Sequence, residues 1–472
     1  MKVKERKELL LEQAERLLVI EAENVAGLAT VFLPLYSHRL ALRREAVVVL
    51  GGRGAGKSAL FRLLAELKDG ERIRAFFGAD VPEARWVEGF SDGPDHPQQA
   101  ELDAFAGDVS DGALRAFWIT HLVRRVVAST PHIRRQLPSG LGPDWSLDRA
   151  ESVVTAGAQE LDAVEQTLLS AGETVFVAYD HLDRLGQFDR SIRQRYVSTL
   201  LALWLSLSNR YKNLRAKIFL REDLFDAAQT TFADAGKLRG RAVSIEWDVP
   251  SLYRLVVRYM AAGDATRDWL REVPGLELRA WGPDFGYLPP EMDEPLQKAF
   301  AERLAGKVMG RGVKKGYTYR WIPNRLQDGR GRIVPRSVMN LIAYACEAAR
   351  SKPLRRGTRL VTPPDLWAAL RPMSAARVAE VGEEFPPVRR LAHLQGEQVL
   401  LEKALVVARL GEPASGENVS RPMPGEAVFE ELVRLGVLVI RADRYGKGRI
   451  DVPDLYRYGY GILRKGGVKR PS

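Results

Sequence analysis

Between residues 2 and 23, Leu9, Leu10, Leu17, Leu18 and Ile20 recur among charged positions at helical spacing, so the chain opens on a predicted amphipathic helix. A β-branched run at 46–50 then meets Gly51, and helical periodicity resumes over 58–67, giving strand, glycine loop, helix. Residues 71–77 read as the next strand and 91–97, with Gly, Pro and Asp, as an exposed loop. A helix is predicted over 114–127, its apolar stripe through Leu114, Phe117, Trp118 and Leu122 broken by His121 and Arg125; a second helix spans 150–170. Residues 174–179 form a buried strand, 190–207 a helix, 216–220 a strand, 242–247 a short β run and 251–261 a helix. Strands alternating with helices over 46–261 predict an α/β fold with a parallel sheet covered on both faces.

Beyond this the pattern changes. Residues 263–294 are rich in Pro, Gly and Asp, as at an insertion or junction. A helix follows at 337–349, then a Pro- and Arg-rich link through 364 and a mostly helical stretch at 365–410. The end reads helix (426–435), strand (437–441), turn (445–448), strand (449–452), the pattern of a winged helix.

The 472 residues suggest about three domains, and 46% apolar with 28% charged residues excludes a wholly disordered chain. The single cysteine, Cys346, excludes an intrachain disulfide or Cys-rich zinc site and reads as a small buried apolar residue; the six histidines contain no HExxH pair, and His132 and His393 stand alone. The first residues are too charged for a signal peptide, and no apolar run reaches the 18 or so residues of a membrane span. A cytoplasmic protein, away from membranes, is expected. The net charge of +11 is concentrated: residues 301–360 hold 15 basic and 3 acidic residues. Such a block suits phosphate, of nucleotide or nucleic acid, or is a solvated Arg-rich surface.

Gly51, Gly52, Arg53, Gly54, Ala55, Gly56, Lys57 and Ser58 satisfy GxxxxGK[ST], with Ala59 next in the helix. In that loop glycines let backbone amides face phosphate oxygens, lysine reaches the β and γ phosphates, and serine ligates Mg2+, so ATP is the expected ligand. The apolar run 175–179 ends in Asp180, a second Mg2+ ligand candidate at the sheet's C-terminal edge. Asp183 either orients water or caps the following helix.

The P-loop, YDHLDRL from Tyr179 and KIFLRED from Lys217 resemble the core of the STAND and KAP branch of P-loop ATPases, relatives of AAA+ initiators. The resemblance implies that Arg221 senses the γ-phosphate, and that Pro335 and Arg336 place a second sensor in a helical lid; an ordinary salt bridge or helix start are the plain alternatives. It also implies a role in bacterial regulatory or anti-phage assemblies. Where AAA+ members have glutamate after the metal aspartate, His181 stands, so hydrolysis is expected to be slow. The expected organisation is a helical segment (1–40), a P-loop core (41–262) with a helical insertion at about 81–170, a basic lid (263–350), a helical linker (351–425) and a winged-helix-like module (426–472).

Three functions follow: an ATP-driven switch; a nucleic-acid binder using ATP structurally; and a signalling scaffold, as a homo-oligomer or with an effector protein. Nucleic acid, DNA or RNA, would meet Lys314, Lys315, Arg330 and Arg332, with Tyr317, Tyr319 and Trp321 interleaved and Arg464, Lys465, Lys469 and Arg470 at the end. In the scaffold reading Tyr456 is core.

Overall fold

The computed structural model describes residues 2–18, 27–93, 95–107, 109–130, 150–186, 189–228, 232, 234–282, 284–353, 357–414, 423–442 and 448–464. His132, the turn at 445–447, and Lys465, Lys469 and Arg470 lie outside them. The chain divides into two compact units, Ala26–Glu246 and a second made of Met1–Val25 with Trp247–Ser472.

In Ala26–Glu246, five parallel strands form one sheet: β1 (Val48–Leu50), β2 (Arg85–Phe90), β3 (Val175–Tyr179), β4 (Leu214–Leu220) and β5 (Ala242–Ser244), in the order β2-β3-β4-β1-β5. The three central strands are buried at every position, because a parallel sheet with helices on both faces leaves no side for water. This is a mixed α/β architecture consistent with a P-loop NTPase fold. β4 lies between the P-loop strand and the acidic strand, with Val49 opposite Phe219 and Tyr179 opposite Ile218. All three strands therefore end at the same edge of the sheet.

Two features of β4 fix that register. Glu165, buried on the helix Ala150–Ala171, accepts the backbone N–H groups of Lys212, Asn213 and Leu214 at the strand's start. Lys217, fully buried at its middle, donates to the carbonyls of Arg43 and Ala46 and lies over the Phe176 ring, 4.4 Å from its centre. Burial pushes that ammonium well below the usual lysine range.

Three expectations change here. Residues 71–77 are helical, within Gly70–Phe77, because Asp69 caps the N-terminus by accepting from the Arg72 N–H while Ile73, Phe76 and Phe77 fall on one buried face. The segment expected as a helical insertion, about 81–170, contributes an edge strand of the sheet, β2, before the helices Gln99–Gly107, Asp111–Ser129 and Ala150–Ala171. His121 does not interrupt the core: it is buried, stacked on Phe117 with centroids 5.8 Å apart and planes at 4°. Beside it Trp118 is buried and its indole N–H donates to the Tyr196 carbonyl at 3.1 Å.

In the other unit the helices Val3–Leu18 and Pro335–Arg350 pack together, Pro335–Arg350 also packs on Pro363–Glu384, and the buried Arg6 donates to the Leu360 carbonyl. Cys346 is fully buried, as its apolar surroundings in sequence imply. Toward the C-terminus the helix Gly425–Arg434 is followed by antiparallel strands Val439–Ala442 and Gly448–Asp451, the latter also pairing with Leu401–Glu402. Tyr456 is buried, so it belongs to this unit's core. Tyr319 and Trp321 are also buried, 6% and 4% exposed, and so are not the base-stacking faces that the sequence suggested. Arg464 is likewise no free cation, because Asp451 accepts from it at 2.7 Å. Among the described residues no helix is long and apolar enough to cross a membrane.

Candidate functional site

β1 ends at Leu50 and the glycine loop carries the chain into the helix Lys57–Leu67. Gly54 and Gly56 hold φ of 80° and 97°, left-handed conformations open to glycine and strained for other residues. No side chain of the N-cap residue Gly56 caps this helix, so its first amides point at the loop's concave side with the positive end of the helix dipole. Gly51 is buried, and a Cβ there would sit 3.1 Å from that of Ala55; at Gly52 it would meet nothing. Lys57 Nζ folds back over the loop and donates to the carbonyls of Gly51 at 2.8 Å and Gly52 at 3.2 Å, where an anion's oxygens would compete for it. Ser58 and Ala59 follow half-buried in the first helical turn.

Asp180 leaves β3 at the same edge, 4% exposed, its N–H donating to the Phe90 carbonyl of β2 at 2.9 Å. Ser58 of the neighbouring helix is near enough to pull the carboxyl's pKa down, yet Oδ2 has no hydrogen-bond partner among the described residues. Burial pushes the carboxyl above the usual range, against the opposing pull of His181, Ser58 and Lys57. A buried carboxylate oxygen left without a donor, next to a serine oxygen, is a donor set that fits a hard divalent cation.

His181 has φ 58°, left-handed for a non-glycine residue, a conformation that persists only where its surroundings hold it. Its Nδ1 lies 3.1 Å from Asp92 Oδ1, and its Nε2 lies 4.0 Å from Asp180 Oδ2. Asp92 also pairs with Arg184. Asp183 is 37% exposed at its side chain, 4.0 Å from Arg221. Arg221, just past β4, is held by a bidentate pair with Asp223, at 3.0 and 2.7 Å. One edge of the sheet thus gathers Lys57, Ser58, Asp180, His181, Asp183 and Arg221. Arg336 belongs to the other unit, where it pairs with Glu380 at 3.2 Å.

Asp92 and a neighbouring cluster were not anticipated from sequence. Glu88 of β2 takes a hydrogen bond from Ser91, lies 3.0 Å from His96 Nε2, and His96 Nδ1 is 3.2 Å from His121 Nε2. The hydrogen bond with His96, first, and that from Ser91 hold the Glu88 carboxyl below its usual range despite burial. The signal that β2 existed was Trp86, Val87 and Phe90 beside Gly89, short and interrupted; the loop after it carries Asp92 to the site.

No protein-family model matches the chain, and no curated protein matches it. Among solved structures it is similar to a Walker-type ATPase of Pyrococcus abyssi, with 14% identity over 90% of this chain and 94% of that one and a TM-score of 0.39. It is also similar to the ORC2 protein of Aeropyrum pernix: 11% identity, 93% of this chain and 94% of that one, TM-score 0.31, in its ADPNP–ADP complexes. For the ADP form of that protein the figures are 12%, 96%, 90% and 0.30. None reaches a TM-score from which a shared fold follows.

Proposed function

We propose that the chain binds ATP at the loop 51–58 and works as a slowly hydrolysing nucleotide switch. The observation that carries this is the meeting of Ser58 and the buried, partly unsatisfied Asp180 beside an uncapped helix N-terminus. Amides of the loop and of Ala59, with Lys57, would hold the phosphates, and Ser58 with Asp180 would hold Mg2+. The cation, when bound, neutralises charge on the β and γ oxygens. Slow turnover follows from His181 at the position where a carboxylate is expected, since an imidazole beside the proposed cation replaces the glutamate that would polarise the attacking water. Arg221 would exchange Asp223 for phosphate as nucleotide state changes, and Arg336 would likewise have to leave Glu380. A winged-helix reading of the C-terminal module, and a setting in bacterial regulatory or anti-phage assemblies with a second copy or an effector protein, are supported by sequence pattern and resemblance.

Isothermal titration calorimetry of Mg-ATP against the full chain and Lys57→Ala tests the site. Removing a charge-assisted hydrogen bond worth about 3 kcal/mol should weaken binding roughly 100-fold. Unchanged affinity would place the nucleotide elsewhere.

A further inference from the structure

The basic block resolves into two kinds of cation. Arg303 pairs with Glu272, and Arg320 with Glu294, so these are neutralised within the fold. Arg332, expected to meet nucleic acid, pairs through its Nε with Asp328 at 3.0 Å, and the same carboxylate accepts the backbone N–H groups of Arg330 and Arg332. Lys307, Arg311, Lys314 and Lys315 are different: all are exposed, and among the described residues no carboxylate pairs with them.

These four project from one narrow finger. Val308 bridges Tyr317 antiparallel, Met309 N–H donates to the Gly316 carbonyl at 3.0 Å and Thr318 N–H to the Lys307 carbonyl at 3.1 Å. A 3-10 turn, Val313–Lys315, closes the tip, and Gly316 leaves it at φ 91°. At the base Gly306 has φ 110°, and a Cβ there would lie 2.8 Å from the Arg359 guanidinium carbon, which adds an exposed fifth cation. At the tip Val313 is 58% exposed.

We infer that this finger docks on the phosphate backbone of double-stranded DNA, with Val313 entering the groove between strands. Five clustered cations, without carboxylate partners among the described residues, call for a polyanion. Single strands are held chiefly by stacking on aromatic faces; here Tyr319 and Trp321 are buried, and the half-buried Tyr317 has its ring tilted against that of Tyr319, centroids 6.0 Å apart. An acidic protein surface would want an apolar core to its interface, where the finger offers one valine. An apolar tip flanked by Arg and Lys matches the narrow minor groove of B-form DNA better than the wide, shallow one of A-form RNA. The inference goes beyond the nucleotide site and does not depend on it.

The test is fluorescence anisotropy of a labelled mixed-sequence DNA duplex with the full chain, over about 50 to 200 mM salt. Arg311→Gln, Lys314→Gln and Lys315→Gln together should weaken binding at least about tenfold and make the slope of log affinity against log salt shallower by about 2.7, near 0.9 for each phosphate no longer neutralised. Arg332→Gln should change affinity less than about twofold, and Lys57→Ala, proposed to weaken ATP binding, should retain duplex binding. The proposal is overturned if the wild-type chain has no duplex affinity at low salt. It is equally overturned if the triple variant, with an unaltered thermal melt, keeps both affinity and slope, or if single-stranded DNA or duplex RNA competes better than the DNA duplex.

Discussion

His121 is a histidine that the fold keeps neutral. Burial first, then the charges of His96, Arg125 and Arg124, lower its pKa from 6.5 to about 3, while a backbone hydrogen bond with Gly89 opposes them. His38, fully enclosed, is lowered to about 3 by burial alone. The unfolded chain takes up these protons near its ordinary value and the folded chain does not, so each site costs stability as pH falls from 6.5 toward 3 and nothing above that window. At about pH 5 the loss per site is on the order of 2 kcal/mol. Urea unfolding of Ala26–Glu246 elements, followed in the full chain at about pH 7.5 and about pH 5, should show His121→Gln losing about 2 kcal/mol less than wild type between the two. An equal loss would mean that His121 is protonated in the folded protein.

β2 is the element on which the site depends and the one least visible in the sequence. It pairs with β3 from Arg85↔Val175 to Phe90↔Tyr179, with a register shift at Gly89, and its end delivers Ser91 and Asp92 to the edge where His181 lies. The strand lies flush only because position 89 has no side chain: a Cβ there would be 2.5 Å from Val177 Cγ1 and 3.0 Å from the Tyr179 ring. Gly89→Ala should therefore destabilise the protein by about 1–3 kcal/mol, read as a lowered melting temperature. No change in melting would show that β2 is free to move away from β3. The bulge and the glycine also explain why six residues read as no strand, since both interrupt the alternation that marks one. By contrast 71–77 carried its correct signal, the Asp69 cap and apolar residues at helical spacing, which the aromatic pair Phe76 and Phe77 obscured.

Across the whole molecule the two units draw stability from different chemistry. Ala26–Glu246 rests on an apolar core around the sheet, whereas the C-terminal elements are tied by a buried ionic cluster: Asp454 with Arg325, Arg457 at 2.9 Å and Arg464 at 3.4 Å, and Asp451 with Arg441 at 2.8 Å and Arg464 at 2.7 Å. Burial raises the Asp454 carboxyl, but the three guanidinium groups outweigh it and hold it below its usual range. That contribution is present at neutral pH and is lost as pH falls through the lowered value. Asp454→Asn leaves buried cations uncompensated and should cost about 3–5 kcal/mol. In hydrogen exchange the loss of protection should fall first on amides in 247–472, while Gly89→Ala should act first on those in 26–246. Both variants exposing the same amides would show that the chain unfolds as one cooperative body.

What the sequence alone determined is what acts over a turn or a strand: the glycine loop and its helix, the apolar run that stops at Asp180, and the alternation that makes the sheet parallel. These are local because backbone freedom, capping and apolar periodicity are fixed by residues a few positions apart. Tertiary structure decided which distant residues meet. It brought Asp92 to His181 and Ser58 to Asp180, and laid β4 between the two phosphate-site strands. It also sorted the basic block, burying Tyr319 and Trp321 and occupying Arg332 with Asp328 while leaving Arg311, Lys314 and Lys315 exposed on a finger. A count of charges cannot make that division, because a cation's availability depends on the carboxylates that folding places beside it.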